Sequence, residues 1–318
     1  MDGLLILDKP AGPTSHDVVA RMRRTLREKR IGHTGTLDPA ATGVLLLVVG
    51  RATRLAKFLS ASDKAYEAVV RLGFATDTAD AQGEPIGPVW KGTPPPRERI
   101  AAALEEFFGT YLQQPPAFSA KKIEGKRSHK LARARARAAD DRDGPALPVE
   151  LPAPASVTVR TLEIVGLDAE YVTLRIECSA GFYVRSLAHD LGERLGVGAH
   201  ISSLRRTRTG DFTIDQAIDL DAAERDPDGT AAAIVPLADM LPRLASVTLT
   251  ADGVLRALHG RDIRPSDALG FSQFGPWRTD DNALGATFVR LLDQGGALIG
   301  IATPASAAGA LHPSVVLM

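Results

Sequence analysis

Apolar residues in this chain fall into two rhythms. Unbroken runs, Gly3 to Leu7 and Val44 to Val49, predict strands buried on both faces, because a solvated face would put a polar residue at every second position. Helical spacing governs Val18, Val19, Met22 and Leu26 after Ser15, which is read as the helix cap. A short helix through Leu55 and Phe58 and a strand from Tyr66 to Leu72 follow. Pro94 to Pro96 open a further helix, with Ile100, Leu104, Phe107 and Phe108 on its inner side and Gly109 at its end. Strands are predicted at Val157 to Leu167 and Tyr171 to Ser179, then a helix from Tyr183 to Leu195 that Gly196 stops.

Between Lys121 and Pro154 this rhythm gives way to Ala, Arg, Asp and Pro. That composition predicts a helical start followed by a mobile loop, since it offers little apolar surface to bury. The acidic stretch Asp211 to Asp239 reads as a connector. From Ser246 onward, short apolar runs broken by Gly and Pro predict a small β-rich module over 246–318, set apart from a larger domain over 1–240. Strands and helices intersperse without a regular βαβ repeat, so the expected fold class is α+β, with a mixed, largely antiparallel sheet.

Charge changes this picture. The chain has 38 basic and 38 acidic residues among 318, a formal charge of zero. Residues 1–210, however, hold 31 basic against 24 acidic, and residues 211–318 hold 7 against 14. The basic residues gather in three clusters: Arg21 to Arg30, Lys121 to Arg137, and Arg205, Arg206 and Arg208. Such clusters suit a polyanion, which binds by releasing counterions, although solvated helix faces would look the same. The single Cys178 excludes an internal disulfide framework and a Cys-based zinc site and reads as a buried small side chain. The other histidines show no metal-ligand spacing, so no metal is expected. The longest strongly apolar run, Val44 to Val49, is far short of the roughly 20 residues that span a bilayer. No signal peptide is read at the N-terminus, which points to the cytoplasm and away from a membrane.

The densest candidate chemistry lies in Gly32-His33-Thr34-Gly35-Thr36-Leu37-Asp38-Pro39. Pro39 biases Asp38 toward an extended backbone, and the glycines permit close approach of a ligand. A phosphate loop is excluded because no Gly-Lys-Ser/Thr ends the stretch. An Asx-turn before Pro39 would account for Asp38 equally well. A second stretch, Cys178 to Leu187, places Arg185 near a helix start. There the macrodipole disfavours a cation by roughly 0.3 to 1 kcal/mol, so Arg185 either meets an anion or points back to water.

These stretches are accompanied by Gly3 to Pro10, Thr14-Ser15-His16-Asp17, Thr42-Gly43-Val44-Leu45, Gly50-Arg51-Ala52-Thr53-Arg54, Lys64-Ala65-Tyr66, Arg71-Leu72-Gly73, Thr76-Asp77-Thr78, Gln114-Pro115-Pro116, Ser119-Ala120, Gly125-Lys126, Gly181 to Arg185 and Leu204-Arg205-Arg206. In that order the chain resembles the TruB-type tRNA pseudouridine synthases over nearly its whole length. The resemblance implies a pseudouridine synthase catalytic domain over 1–240, whose loop at about 121–154 folds over RNA, and a PUA-like RNA-binding module over 246–318.

The implied reaction converts uridine 55 in the tRNA T-loop to pseudouridine without cofactor or metal. The implied enzyme is a monomer that needs no protein partner. Asp38 matches the catalytic aspartate, as nucleophile or as base toward the sugar. Arg185 matches the cation paired with that carboxylate, and Tyr66 the tyrosine that stacks on the flipped base and removes the C5 proton. His33 matches a residue that opens the T-loop, and Tyr183 and Leu204 match the lining of the uracil pocket, although packing alone would explain those two. Lys121, Lys122, Lys126, Arg127, Lys130, Arg205 and Arg206 are the candidates for the RNA backbone. The chain departs from the family where His129 replaces a usual tyrosine and where the following loop is longer and more charged. An RNA-binding or tRNA-folding protein without turnover, or a guide-RNA-dependent synthase, would use the same surface.

Overall fold

The computed structural model describes residues 1–117, 122–123, 126–127, 151–270, 288–306 and 309–317, with 122–123 and 126–127 as backbone only. The chain divides into two compact units. One is made of Met1–Pro39, Val44–Ser62 and Thr209–Met318, the other of Ala40–Gly43 and Asp63–Arg208.

In the first unit the strand Gly3–Lys9 lies between Thr42–Val49 and Ile218–Asp219. Ile31–His33 runs antiparallel to Thr42–Val49, with His33 opposite Leu47. Both apolar runs are buried along almost their whole length, as expected of strands covered on two faces. Leu4, Ile6, Val44, Leu46 and Val48 share a core with Phe58, Leu59, Met240 and Ile301. The helix Ser15–Thr25 starts one residue earlier than its sequence cap suggests: Thr14 is the cap, closing a reciprocal box with Asp17, and Ser15 is the first helical residue and buried.

The acidic stretch after Asp211 is an integral part of this unit and no mere connector. Its Ile218–Asp219 pairs parallel with Leu7 and Asp8, and its Val235–Pro236 pairs antiparallel with Gly3 and Leu4. Two short helices lie between, and Glu224 and Asp221 there grip Arg21 at 2.7 and 2.8 Å. The C-terminal residues of the same unit form a four-stranded sheet in the order Ala245–Thr248, Val289–Leu292, Leu298–Pro304 and Leu311–Val316. The helix Ala251–Leu258, absent from the sequence expectation, packs Ala257 into that sheet's core.

The second unit is built on strands in the order Ala199–Thr209, Lys64–Leu72, Tyr171–Cys178, Ala155–Asp168 and Gly109–Gln113. The last three pairings are antiparallel. Val172, Leu174, Ile176 and Cys178 alternate inward, and burying each aliphatic side chain contributes roughly 1.5–3 kcal/mol. They meet Ile100 and Leu104 of the helix Arg97–Glu105, and Leu187 and Leu191 of the helix Val184–Leu195. Gly196 ends the latter helix in the left-handed region at φ 68°. Phe108, expected on the inner side, is exposed, because the helix stops at Glu105 and the chain turns into the strand Gly109–Gln113. The mixed, largely antiparallel α+β character holds. In the 121–154 segment, Lys122–Ile123 and Lys126–Arg127 pair as a short antiparallel ladder where a helical start was expected. Among the described residues no helix is long and apolar enough to cross a membrane.

Candidate active site

Asp38 sits on an arm whose neighbours are both fixed. After His33 the chain leaves the sheet, with the Thr34 amide still donating to the Leu46 carbonyl at 3.1 Å. The buried Leu37 is held by Ser15: Ser15 Oγ accepts from the Leu37 amide at 2.9 Å and donates to the Leu37 carbonyl at 3.0 Å. On the other side, the Pro39 carbonyl accepts from the Gly12 amide at 2.9 Å and from Lys9 Nζ at 3.1 Å. Lys9 is buried at the end of its strand and also donates to the Pro10 carbonyl at 2.8 Å. Asp38 is half-buried. The carboxylate is thus carried between two residues that are each held by hydrogen bonds to their backbone, an arrangement that fixes where it starts from. His33, also half-buried, meets His16 edge to face with ring centroids 5.1 Å apart.

In the second unit Arg185 lies in the first turn of Val184–Leu195 and is only 7% exposed. Its guanidinium donates to the Thr78 carbonyl at 3.0 Å and stands 3.6 Å from Asp80 Oδ2. The anion that the helix dipole calls for is therefore present within this unit. Asp80 is itself fixed, accepting from Thr78 Oγ1 at 2.7 Å and from the Gln82 amide at 3.0 Å. Between Thr78 and Asp80, Ala79 adopts φ 58°, a left-handed conformation that costs a β-carbon-bearing residue about 1 kcal/mol or more. The turn is clamped by the Ile201 amide, which donates to the Ala79 carbonyl, and by the Ala81 amide, which donates to the Ile201 carbonyl.

Tyr66 lies on Lys64–Leu72 opposite Ile176, 8% exposed, in the core against which Leu204 packs. Lys64, two residues away and therefore on the same strand face, is buried. Burial, then the nearby Arg206, lowers its pKa to about 8. Tyr183 precedes the helix and is pinned by Gln113, which accepts from its amide at 2.8 Å and donates to its carbonyl at 3.0 Å. Leu204, Arg205 and Arg206 follow one another on Ala199–Thr209, where Arg205 and Arg206 pair parallel with Thr42 and Gly43. Arg205 donates to Thr42 Oγ1 at 3.4 Å, and Arg206 is buried. Gly43 at φ 101° has no room for a side chain, since a β-carbon would fall 2.1 Å from the Arg206 carbonyl oxygen.

The structure therefore puts His33 at the end of a strand and Asp38 on the loop that follows it, and brings Tyr66 and Leu204 together in one core. Tyr183 and Arg185 share the start of one helix. Lys121 and Lys130, like His129, lie outside the described residues, and of Lys122, Lys126 and Arg127 only the backbone is described. Sequence reading gave no role at the site to Lys9, Gly12, Ser15, Thr78 and Asp80, whose hydrogen bonds and ion pairs hold the neighbours of Asp38 and the guanidinium of Arg185. A lysine closing an unbroken apolar run, and an aspartate in the turn-rich Thr76-Asp77-Thr78-Ala79-Asp80, were the available signals.

Comparison with known proteins gives one family. Residues 23–184 match the N-terminal domain of the TruB family of pseudouridylate synthases, and residues 185–237 match the tRNA pseudouridylate synthase B C-terminal domain. A tRNA pseudouridine synthase B of Solibacter usitatus is 41% identical over 323 residues, covering 100% of both chains. That of Ralstonia nicotianae is 44% identical over 266 residues, covering 82% of this chain and 80% of its own. Among solved structures, an H/ACA RNP bound to a substrate RNA containing 2'-deoxyuridine holds a chain with a TM-score of 0.70 and 25% identity, covering 99% of this chain and 85% of that one.

Proposed function

The chain belongs to the TruB family of pseudouridylate synthases and forms pseudouridine in tRNA; we propose that the uridine is position 55 of the T-loop and that Asp38 attacks the sugar–base junction. In this isomerisation the N1–C1′ bond breaks, the uracil turns, a C5–C1′ bond forms, and the C5 proton is lost while N1 takes one up. Asp38 serves the first step as nucleophile at C1′ or as base toward the sugar, and needs to be ionised for either. The observation that supports it is the fixing of Leu37 and Pro39 on either side of the carboxylate.

Arg185 supplies the cation of the site, its orientation set by Thr78 and Asp80. Tyr66 stacks on the extruded base and removes the C5 proton; stacking of this kind contributes about 1–3 kcal/mol per base and offsets extraction from the loop. Tyr183 and Leu204 line the uracil pocket, and His33 holds the T-loop open. Arg205 and the basic residues of 121–154 follow the RNA backbone. Residues 1–240 form the catalytic domain, and 246–318 a PUA-like module that adds RNA contact. The enzyme works in the cytoplasm as a monomer on the T-arm, with no cofactor.

A T-arm hairpin assayed with a chemical probe for pseudouridine tests this reading. Asp38→Asn and Asp38→Ala abolish formation while hairpin affinity stays within a few fold, because phosphate contacts and stacking survive. Wild-type turnover by either variant would refute the assignment. Turnover by the chain alone also separates it from the guide-dependent reading suggested by the H/ACA likeness, and an absolute need for a guide RNA would overturn the T-arm proposal.

A further inference from the structure

We propose that Ser15 is a positioning residue for the reaction: its hydroxyl locks the peptide that carries Asp38. The inference rests on the assignment of Asp38 just given. Ser15 is the first residue of the helix Ser15–Thr25, where the amide-capping work is already done by Thr14 and Asp17. Its own side chain is therefore available for another task. The hydroxyl is completely buried and spends both its hydrogen-bonding capacities on one residue of a distant segment, accepting from the Leu37 amide at 2.9 Å and donating to the Leu37 carbonyl at 3.0 Å. A two-point attachment to a single residue fixes rotation as well as position, which a single hydrogen bond does not.

Leu37 is the residue from which the Asp38 backbone departs, and Pro39 on the far side is restrained by Gly12 and Lys9. Lost on one side, that restraint lets the Asp38 peptide shift about Pro39. A displacement near 1 Å between a reacting group and its target costs about 100-fold in rate without a comparable loss of binding. The lock thus acts on the chemical step, whereas RNA affinity is carried by contacts elsewhere.

The experiment compares Ser15→Ala, Ser15→Cys and Ser15→Thr with wild type and with Asp38→Asn, using single-turnover rate, KM, hairpin affinity and Tm. Ser15→Ala is expected to lower the single-turnover rate about 10- to 100-fold with KM and affinity within about twofold. Ser15→Cys, which keeps the side-chain shape with a slightly larger atom but weakens both hydrogen bonds, is expected to fall between, and Ser15→Thr, which keeps the hydroxyl, to recover most of the rate. Should Ser15→Ala fail to fold, Ser15→Cys is judged by the same split. Wild-type rate in Ser15→Ala or Ser15→Cys, or a rate loss that Ser15→Thr does not relieve at unchanged Tm, overturns the proposal. Full activity in Asp38→Asn would instead remove the assignment on which it rests, so the two failures are distinguishable.

Discussion

Asp80→Asn separates charge from shape at the Arg185 site. The carboxamide retains an oxygen for Thr78 Oγ1 and the Gln82 amide, so the turn keeps its form, but the anion 3.6 Å from the guanidinium is gone. At an effective dielectric near 20 the lost Coulomb attraction at 3.6 Å is ~5 kcal/mol. The side chains of Arg185 and Asp80 are 8% and 14% exposed, so little solvent enters to replace the partner. Against this, the variant no longer bears the desolvation of the carboxylate, and the Thr78 carbonyl still accepts from Arg185. A net loss of about 1–3 kcal/mol follows, the range for losing one hydrogen-bonded charged group. At roughly 2–4 °C per kcal/mol, differential scanning calorimetry is expected to show Tm lower by several degrees. The single-turnover rate is expected to fall more than tenfold, since Arg185 has lost a charged group that aims it. A variant with unchanged Tm and unchanged rate would refute the claim that Asp80 holds Arg185.

Further outcomes follow from other sites. Lowered from 10.5 to about 8 by burial, the Lys64 pKa penalises the folded state below pH 8, and the penalty fades as pH rises toward the unfolded value. Lys64→Met is therefore expected to gain more stability at pH 7 than at pH 10, by roughly 3 kcal/mol at most; an equal gain at both, read from thermal or denaturant unfolding, would disprove the charge argument. Gly43→Ala would drive a β-carbon into the Arg206 backbone, and thermal melting is expected to show a loss of several degrees or failure to fold. Burial holds the Cys178 thiol up to about 12, so at pH 8 a thiol reagent is expected to label it only after denaturation; rapid labelling of the native chain would contradict the packing. Arg21→Ala is expected to lower Tm while leaving tRNA affinity and its salt slope unchanged, because Glu224 and Asp221 already occupy that guanidinium.

What could be read from the sequence follows physical range. The strands Gly3–Lys9, Thr42–Val49 and Tyr171–Cys178 announce themselves because their burial repeats over neighbouring residues. Ala199–Thr209 does not, since its buried and exposed positions follow no period of two. It owes its extended form to the strands beside it, a tertiary decision. Ser15 is a valid cap by local rules, and so is Thr14 beside it. Only the arrival of Leu37 from a distant loop decides that Ser15 turns inward. Likewise the dipole argument left Arg185 to meet an anion or turn to water and gave no hint of Asp80, which reaches it through a turn with a left-handed Ala79 that no propensity favours.

The charge division needs the same correction for range. Counting along the chain assigns seven surplus cations to residues 1–210 and treats each as visible to a polyanion. In the fold, Arg21 is held by Glu224 and Asp221, Arg51 by Asp2, Arg160 by Asp63, Arg185 by Asp80 and Arg208 by Glu177. Each pair forms a dipole whose field decays faster than that of a lone charge, and salt with a Debye length of about 10 Å removes most of the remainder. Arg21 is matched by acids of the stretch after Asp211, so part of the negative surplus downstream cancels part of the positive surplus upstream at contact distance. The pairs within 1–210 already cancel in the sequence count, so among these described pairs it is the Arg21 contacts that lower the surplus itself. For the described residues, recognition of tRNA phosphates then rests on placed cations more than on summed charge.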